Sequence, residues 1–274
     1  MLDNEAMSET RSVRTVLVTG GSSGIGAAAV RLFAHRGDIV WFTYHQGKDR
    51  AEGLAEELAE APGGKPREFF LDQGDFDSVQ GLLAMLPGEV DVLVNNAGLG
   101  TATVELNGVD STHGQDELFA QVNCLGPLWL TQHLLPGMVA RGYGKILMMS
   151  SVGGGIAAFP GFRDADGMSK AAIAFLARKL AAELSHQPVD VFCVCPGAVD
   201  TPMFRRSTLD PLPDEAVTAL LAGLPQGRLI SPEEVAELLW WLTTDAASIL
   251  HGAVLDASMG LGVHPGLITA GQSA

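Results

Sequence analysis

Residues 19–26 read TGGSSGIG and form the segment best suited to binding a phosphate. They follow the apolar run TVLVT and precede IGAAAVRLFAH, so a strand, a turn and a helix are predicted in that order. Gly20, Gly24 and Gly26 would let the backbone approach a pyrophosphate, while the helix N-terminus supplies N–H groups. The spacing is G-x-x-x-G-x-G rather than the commoner G-x-G-x-x-G, and a merely tight reversal of the chain is the alternative. The flanking strand and helix favour dinucleotide binding.

Short β-rich runs alternate with helical stretches along nearly the whole chain, as in a parallel sheet covered on both faces. We predict strands at 15–19, 39–44, a run ending near Asp72, 90–94, 145–151, 189–197 and 253–256. Helices are predicted at 25–36, 50–58, 115–141 and 167–184. A last helix starts at Ser231, with Pro232 in its first position and Glu234 three residues after the cap. The fold class is α/β, with a single Rossmann-type, doubly wound parallel sheet of about seven strands and helices on both faces.

The order of these elements predicts one domain and two flanking segments. Residues 1–12 are acidic, lack an apolar stretch and are interpreted as a disordered leader. The domain spans 13–263, and 264–274 form a C-terminal tail. Residues 201–226 are rich in proline, carry Arg205 and Arg206, and are predicted to form a mobile lid over the site.

The composition limits the possible partners. With a formal net charge of -15 and a pI of about 4.7, the chain is a poor ligand for nucleic acid or an anionic membrane. No stretch is long and apolar enough to span a bilayer, and we expect a cytoplasmic protein. Cys193 and Cys195 share one face of an apolar strand and are interpreted as buried thiols. The spacing of the histidines and cysteines predicts no metal site.

Several motifs occur in an order that resembles the classical short-chain dehydrogenases/reductases. They are TGGSSGIG, Asp72 after strand three, NNAG at 95–98, Asn123, Ser150 and Ser151, Lys170, and PGAVDTPM at 196–203. The resemblance extends from about residue 15 to residue 262 and implies a nicotinamide dinucleotide cofactor. It implies that Asp72 contacts the adenine and that Pro196, Gly197 and Thr201 hold the nicotinamide end.

By this resemblance, the cofactor-binding residues form one set. They are Thr19, Gly20, Ser22, Ser23, Gly24, Ile25, Gly26, Tyr44, His45, Asp72, Asn95, Ala97, Gly98, Lys170, Pro196, Gly197, Val199 and Thr201. For Asn95, the alternative is that its side chain mainly ties strand ends together.

The end of strand two predicts which dinucleotide is bound. An enzyme specific for NAD usually carries an acidic residue there, whereas this chain has Tyr44 followed by His45, Lys48 and Arg50. Donors on these side chains would suit a 2′-phosphate, although they could also be ordinary solvated residues. We therefore expect NADP(H) rather than NAD(H).

The pattern departs from the family at one position. The family's proton donor is a tyrosine four residues before the lysine, and here that position is Asp166. By resemblance, Ser151 orients the substrate oxygen, Lys170 binds the nicotinamide ribose and Asn123 holds a water of the proton relay. Ser151 lies 15 residues before Asp166, which indicates a short insertion and leaves Ser150 as an alternative. An ordinary aspartic acid has a pKa about 6 units below that of tyrosine and is a poor donor at neutral pH.

Three hypotheses follow. In the first, which we favour, the protein reduces a carbonyl with NADPH, and the proton comes from Asp166, Ser151 or a water relay through Asn123 and Lys170. In the second, Asp166 is the base of a non-redox elimination or isomerisation. In the third, the chain is a catalytically silent binding subunit. Alternatively, Asp166 and Lys170 form only a structural i,i+4 pair.

The overall likeness is nearest to 3-oxoacyl-[acyl-carrier-protein] reductases, so a small or carrier-bound carbonyl substrate is expected. The lid offers Met203, Phe204, Leu209 and Leu212 beside Arg205 and Arg206, which would fit an apolar chain with an acidic end or carrier. The resemblance also implies a homodimer or homotetramer that packs through the helices at 115–141 and 167–184.

Overall fold

The computed structural model describes residues 13–159 and 162–263, so the predicted leader and tail lie outside the described residues. The strands are β1 (Thr15–Val18), β2 (Ile39–Tyr44), β3 (Arg67–Phe70), β4 (Val92–Asn95), β5 (Gly144–Met149), β6 (Val189–Pro196) and β7 (Val254–Ala257). Within the described ranges they form one parallel sheet of seven strands in the order β3-β2-β1-β4-β5-β6-β7. The predicted doubly wound sheet is confirmed.

Helices cover both faces of this sheet. They are α1 (Gly24–His35), α2 (Lys48–Glu57), α3 (Phe76–Met85), α4 (Thr112–Leu118), α5 (Gly126–Arg141), α6 (Asp164–Glu183), α7 (Pro202–Phe204), α8 (Asp214–Gly223) and α9 (Pro232–Leu242). A π-helical segment, Phe119–Leu125, joins α4 to α5. The predicted long helix is therefore a continuous helix that consists of α4, this segment and α5. Short 3-10 turns occupy Val104–Asn107, Pro225–Gly227 and Asp245–Leu250.

The sheet is apolar on both faces because each strand is covered twice. Alternate side chains of β1 enter different cores: Val16 and Val18 pack with α1, α2 and α9, and Leu17 packs with α3, α5 and α6. All six residues of β5 are buried, as expected for a central parallel strand.

Several boundaries differ from the sequence prediction. Helix α6 begins at Asp164 rather than at residue 167, which places Asp166 in its first turn. Helix α3 is absent from the sequence prediction but present in the structure, where Asp75 caps it by accepting a hydrogen bond from the Asp77 N–H at 3.1 Å. The predicted lid, residues 201–226, carries α7, a π-helical turn at Arg205–Leu209 and α8 instead of an irregular loop.

β1 pairs with β2 on one side and with β4 on the other, so the strand order reverses between β1 and β4. Ligands of open α/β sheets bind outside the carboxyl ends of the strands at such a switch point. A cavity of about 800 Å³ opens there, lined by residues that follow β1, β2, β4, β5 and β6.

Candidate active site

The glycine-rich turn at the end of β1 has the backbone conformation that its sequence predicts. Gly20 and Gly24 have φ angles of +65° and +53°, which favour glycine. A Cβ at Gly26 would lie 2.2 Å from the carbonyl oxygen of Gly20. The start of α1 can therefore pack beneath the turn only without a side chain at residue 26.

The first turn of α1 has no side-chain cap. Ser23, its N-cap residue, makes no capping hydrogen bond, and no acidic residue lies in the first turn. Ser23, Gly24 and Ile25 line the cavity, so the uncapped start of α1 borders it. Such a terminus suits an anion, so the turn fits the pyrophosphate of a dinucleotide.

One end of the cavity lies where β2 and β3 end. His45 Nε2 lies 3.9 Å from Asp72 Oδ2, and the other oxygen of Asp72 accepts a hydrogen bond from the Gly74 N–H at 3.0 Å. Gln73, which the sequence analysis missed, also lines the cavity and donates to the carbonyl groups of Ala97 and Val122. Its buried Oε1 accepts no hydrogen bond from the described residues. The sequence signal that could have identified Gln73 is its amide side chain directly after Asp72.

The side chains considered for a 2′-phosphate take different positions. Tyr44 packs edge-on against Phe70, with ring centroids 6.1 Å apart, and does not line the cavity. Lys48 pairs with Glu52 at 3.4 Å on the surface of α2. The guanidinium of Arg50 folds over Gly47, where an added Cβ would lie 2.2 Å from one of its nitrogens. His45 is thus the member of this group on the cavity wall.

Two of the predicted residues, Thr19 and Asn95, are buried and do not line the cavity. Thr19 is fully buried, and its hydroxyl accepts hydrogen bonds from the Asn96 and Ala97 N–H groups at 3.0 and 2.9 Å. Asn95, at the end of β4, is also buried, and its Nδ2 donates to Thr131 Oγ1 of α5 and to Met148 Sδ of β5, both at 3.3 Å. It therefore links β4 to the neighbouring strand and to a covering helix.

The structure brings most of the predicted site residues onto one cavity. Those that line it are Gly20, Ser23, Gly24, Ile25, His45, Asp72, Ala97, Gly98, Ser151, Asp166, Lys170, Pro196, Gly197, Val199 and Thr201. Those behind its wall are Thr19, Ser22, Gly26, Tyr44, Asn95 and Asn123.

Asn123 lies in the π-helical segment, a helical form that is frequent at functional sites. Its Oδ1 accepts from the Leu99 N–H at 2.7 Å, and its Nδ2 donates to the Leu99 carbonyl and to Ser169 Oγ. These contacts fix the loop after β4 against α6. The side chain is therefore committed to protein contacts rather than presented to a water in the cavity.

Asp166, at the position of the family's tyrosine, is 94% buried yet lines the cavity, with only 6% of its surface exposed. Its Oδ2 accepts two hydrogen bonds from Thr101, one from the N–H and one from the hydroxyl, both at 2.8 Å. Both donors lie on one carboxylate oxygen, so Oδ2 is a hydrogen-bond acceptor and Thr101 fixes the orientation of the Asp166 side chain.

Lys170 lies one helical turn after Asp166 and lines the same cavity. Burial lowers the pKa of Lys170, and the negative charge of Asp166 opposes that shift. A Cβ at Gly98 would lie 3.2 Å from Lys170 Nζ and 3.1 Å from Asn123 Oδ1. The glycine of the NNAG motif therefore provides the space in which the ammonium group sits.

The two serines after β5 have different partners. Ser150 is buried and donates its hydroxyl to the Lys170 carbonyl at 2.8 Å. Ser151 Oγ accepts from the Gly153 N–H at 3.1 Å, so its own O–H can be donated to a ligand. This arrangement favours Ser151 over Ser150 as the serine that faces a substrate.

Arg163, immediately before α6, anchors that helix to α4. Its guanidinium donates to Asp116 Oδ1 at 2.8 Å, to Gln115 Oε1 at 2.6 Å and to the Thr112 carbonyl at 2.7 Å. Its backbone N–H points to Thr101 Oγ1 at 3.4 Å. The anchor therefore fixes the turn that carries Asp166 and the threonine that holds it.

The predicted lid, residues 201–226, lines the cavity with apolar side chains but with no arginine side chain. Met203 and Phe204 line it, as do Leu220 and Leu224. Arg205 instead forms a two-bond pair with Asp200, at 2.6 and 2.7 Å, and neither it nor Arg206 lines the cavity.

Comparison with known proteins decides the family. A family model described as enoyl-(acyl carrier protein) reductase matches residues 20–262. A solved short-chain dehydrogenase/reductase family protein is 34% identical, with a TM-score of 0.77, over 91% of this chain and 97% of the other. This chain belongs to the short-chain dehydrogenase/reductase family. As a short-chain dehydrogenase/reductase, it is an oxidoreductase with a nucleotide cofactor.

Curated relatives of this short-chain dehydrogenase/reductase span nearly its whole length. Oxidoreductase UcpA of Salmonella typhimurium is 36% identical over 247 residues, 87% of this chain and 90% of the relative. The 3-oxoacyl-[acyl-carrier-protein] reductase FabG of Thermotoga maritima is 33% identical over 251 residues, covering 90% and 97%. A solved actinorhodin polyketide ketoreductase variant with NADPH is 30% identical, with a TM-score of 0.81 over 91% and 97%.

Membrane-spanning helices and metal sites are both absent from the described part of the chain. No helix there is both long and apolar enough to cross a membrane. No group of three or more His, Cys, Asp or Glu side chains there could hold a metal ion.

Proposed function

We propose that the protein is an NADP(H)-dependent reductase that delivers hydride to a carbonyl or carbonyl-derived carbon. The observation that carries this proposal is the single cavity that contains the uncapped glycine turn at one end and Ser151 and Lys170 at the other. A dinucleotide extended between them would place its nicotinamide beside these two side chains. The cavity volume, about 800 Å³, is in the range of cofactor sites.

The residues present fit the cofactor. The α1 N-terminus would hold the pyrophosphate, Asp72 would hold the adenine, and Lys170 Nζ would donate to the nicotinamide ribose. The bound dinucleotide would supply the hydride. Gly98 leaves room for the lysine, and Thr201 contacts the turn, since a Cβ at Gly24 would lie 3.1 Å from its methyl group.

Our preference for NADP(H) over NAD(H) depends on the end of β2. No carboxylate follows Tyr44 directly, His45 lines the cavity, and Arg50 folds back over the adjoining turn. A 2′-phosphate would find donors there instead of a repelling carboxylate.

The proton in this proposal does not come from Asp166, because its Oδ2 already accepts two hydrogen bonds from Thr101. Ser151 would donate its O–H to the substrate oxygen. The Lys170 ammonium, whose pKa is lowered by burial, is the group beside it that can release a proton to that oxygen and recover one from solvent.

A second candidate function rests on the same carboxylate. An ionised Asp166 in a cavity is also a suitable base for abstracting a proton in an elimination or isomerisation. In that case the nucleotide would be bound without being consumed.

Two finer assignments are also part of this proposal. Residues 201–226 serve as the substrate lid of a single domain that spans 13–263. The protein forms a homodimer or homotetramer through α5 and α6, where Met168 and Phe175 on α6 are 70% and 62% exposed.

The test combines cofactor binding with turnover. Fluorescence titration should give a lower Kd for NADPH than for NADH, and His45→Ala, which removes the side chain considered for the 2′-phosphate that lies on the cavity wall, should raise the NADPH value about tenfold. Arg31→Ala is the matched control, because Arg31 pairs with Glu57 away from the cavity. NADPH absorbance should fall with a panel of ketones and 3-oxoacyl thioesters, and Lys170→Ala should lower kcat/KM by about 100-fold or more.

The same samples separate the two candidate functions. Binding of NADPH without its oxidation by any ketone, 3-oxoacyl thioester or imine would contradict the reductase proposal. Exchange of a substrate C–H for deuterium in heavy water, followed by NMR and lost in Asp166→Asn, would then support the second candidate. Tighter NADH binding would contradict the cofactor preference alone.

A further inference from the structure

Asp166 is a buried anion without a cationic partner at bonding distance. Among residues 13–159 and 162–263, no Lys, Arg or His nitrogen lies within 4.0 Å of its carboxylate, although Lys170 is close enough to sense its charge. Thr101 occupies Oδ2, and Oδ1 accepts no hydrogen bond from these residues. Oδ1 instead opens onto the cavity, where a positive or hydrogen-donating group of a ligand can face it.

The charges on the cavity wall fall into two pairs. His45 and Asp72 lie together at the adenosine end, and Lys170 and Asp166 lie at the other end. If Lys170 serves the nicotinamide ribose, Asp166 is the charged group left to face the substrate. The arginines of the lid do not compete for it, since Arg205 is paired with Asp200 and Arg206 does not line the cavity.

The rest of the substrate end suits a compact cation with an apolar body. Phe159 and Phe162 line the cavity, with their ring centroids 5.6 Å apart, and the ring of Phe162 lies against Gly153. Leu118, Val152, Leu220 and Leu224 complete this wall. Aromatic faces attract organic cations, and apolar surroundings strengthen the attraction between an anion and a cation.

We propose that the substrate is an iminium ion, the protonated imine formed from a carbonyl compound and an amine, with its N–H donated to Asp166. The assignment rests on the proposed hydride-transfer function and names the substrate class for the same site. Hydride with its electron pair would leave reduced NADP(H) and form a C–H bond at the iminium carbon. The C=N π pair would become the nitrogen lone pair of a neutral amine, and the cofactor would leave oxidised. No proton has to be donated in that step.

The same carboxylate disfavours a simple ketone. Hydride addition to a ketone develops negative charge on its oxygen, which an ionised Asp166 at the tyrosine position would repel. Hydride addition to an iminium ion instead removes a positive charge that the carboxylate has already stabilised in binding. A site that holds an anion where the family places a proton donor thus selects the substrate that needs no donor.

Binding tests the proposal without turnover. Calorimetry of the full-length protein saturated with NADP⁺ should show tetrahydroisoquinoline, a cyclic amine, binding on the order of 10-fold to 100-fold more tightly than its oxygen analogue isochroman. Asp166→Asn should abolish that preference while leaving isochroman affinity unchanged. Asp164→Asn, which removes an exposed carboxylate from the same helical turn, should preserve it.

A parallel assay compares reduction of dihydroisoquinoline with that of α-tetralone by loss of NADPH absorbance. We expect at least about a tenfold higher kcat/KM for the imine. Equal amine and isochroman affinity in the wild type would overturn the proposal, and this comparison needs no variant to fold. Efficient ketone reduction without amine preference would overturn the substrate class and leave the proposed reductase intact. Reduction of neither compound class by a protein that binds NADPH would overturn both.

Discussion

The two ends of the cavity are held by contacts of very different range. At the proposed phosphate end, Gly20 and Gly26 belong to one turn and pack against each other, while Ala97 and Thr201 border that turn. At the proposed substrate end, Asp166 is held by Thr101, 65 residues away, and Arg163 is held by Asp116 and Gln115, 47 and 48 residues away. The close approach at the first end is therefore local to a short segment, whereas the second end depends on the assembled sheet. Changes at the two ends should separate binding of the nucleotide from use of it.

The largest effect is expected from Gly26→Ala, because the new Cβ would lie 2.2 Å from the Gly20 carbonyl oxygen and 2.7 Å from Asn96 Nδ2. Neither the turn nor α1 can keep its position, so we expect a loss of about 1–3 kcal/mol in the free energy of unfolding and loss of NADPH binding. Urea denaturation and NADPH titration measure both quantities.

Gly53→Ala is the control for that change. Gly53 lies in α2 with nothing within 4 Å of an added Cβ, so the variant should gain about 0.5–1 kcal/mol in stability and bind NADPH normally. Normal NADPH binding by Gly26→Ala would show that the phosphate end does not depend on this close approach.

A smaller and more selective effect is expected from Arg163→Ala. Without its bonds to α4, the first turn of α6 should lose the fixed position of Asp166, and turnover should fall about tenfold while the Kd for NADPH stays within about twofold. Steady-state kinetics and a separate NADPH titration distinguish the two quantities.

Arg31→Ala is again the matched control, since Arg31 also bonds a carboxylate through two nitrogens but on the outer surface. It should leave both turnover and NADPH binding unchanged. If Arg163→Ala weakened NADPH binding as much as turnover, the two ends of the cavity would not be separable.

The smallest effect is expected far from both ends, at the start of α9. Ser231 accepts from the Glu234 N–H at 3.2 Å, and Glu234 accepts from the Ser231 N–H at 2.8 Å. Ser231→Ala should cost about 1 kcal/mol in stability without changing turnover.

The same cap gives a pH dependence with a defined sign. A hydrogen bond from Arg228, with help from Ser231, lowers the pKa of Glu234 to about 2. A lowered carboxyl pKa adds stability above the ordinary value of about 4.5, and that stability is lost as the pH falls towards 2. The stability difference between wild type and Arg228→Ala should therefore be constant between pH 5 and 7 and shrink in stronger acid, as followed by thermal denaturation. A difference that changes around neutral pH would contradict this assignment.

Local signals in the sequence predicted the sheet, the glycine turn and the cap of α9. Glycine spacing and the S-P-E-E pattern act within a few residues, so the chain that carries them determines their geometry. The hydrophobic runs of β5 and β6 likewise predicted strands buried on both faces.

The environment of Asp166 could not be predicted in this way. The sequence showed that a carboxylate replaces the tyrosine, but not that Thr101 donates twice to it, because that contact depends on the packing of α6 against the loop after β4. The same holds for Gln73 and Ser150, which donate to the carbonyl groups of Val122 and Lys170, 49 and 20 residues away.

The span of the Thr101 contact also sets when the site can form. The entropy cost of closing a 65-residue loop is offset only after β4 and β5 have paired. The turn after β1 instead closes within a single strand-helix unit. During folding, the glycine-rich turn after β1 should therefore form before the contacts that surround Asp166. Local opening of the native protein should release them in the reverse order, so hydrogen exchange at the Thr101 amide should be faster than exchange in the core of β1.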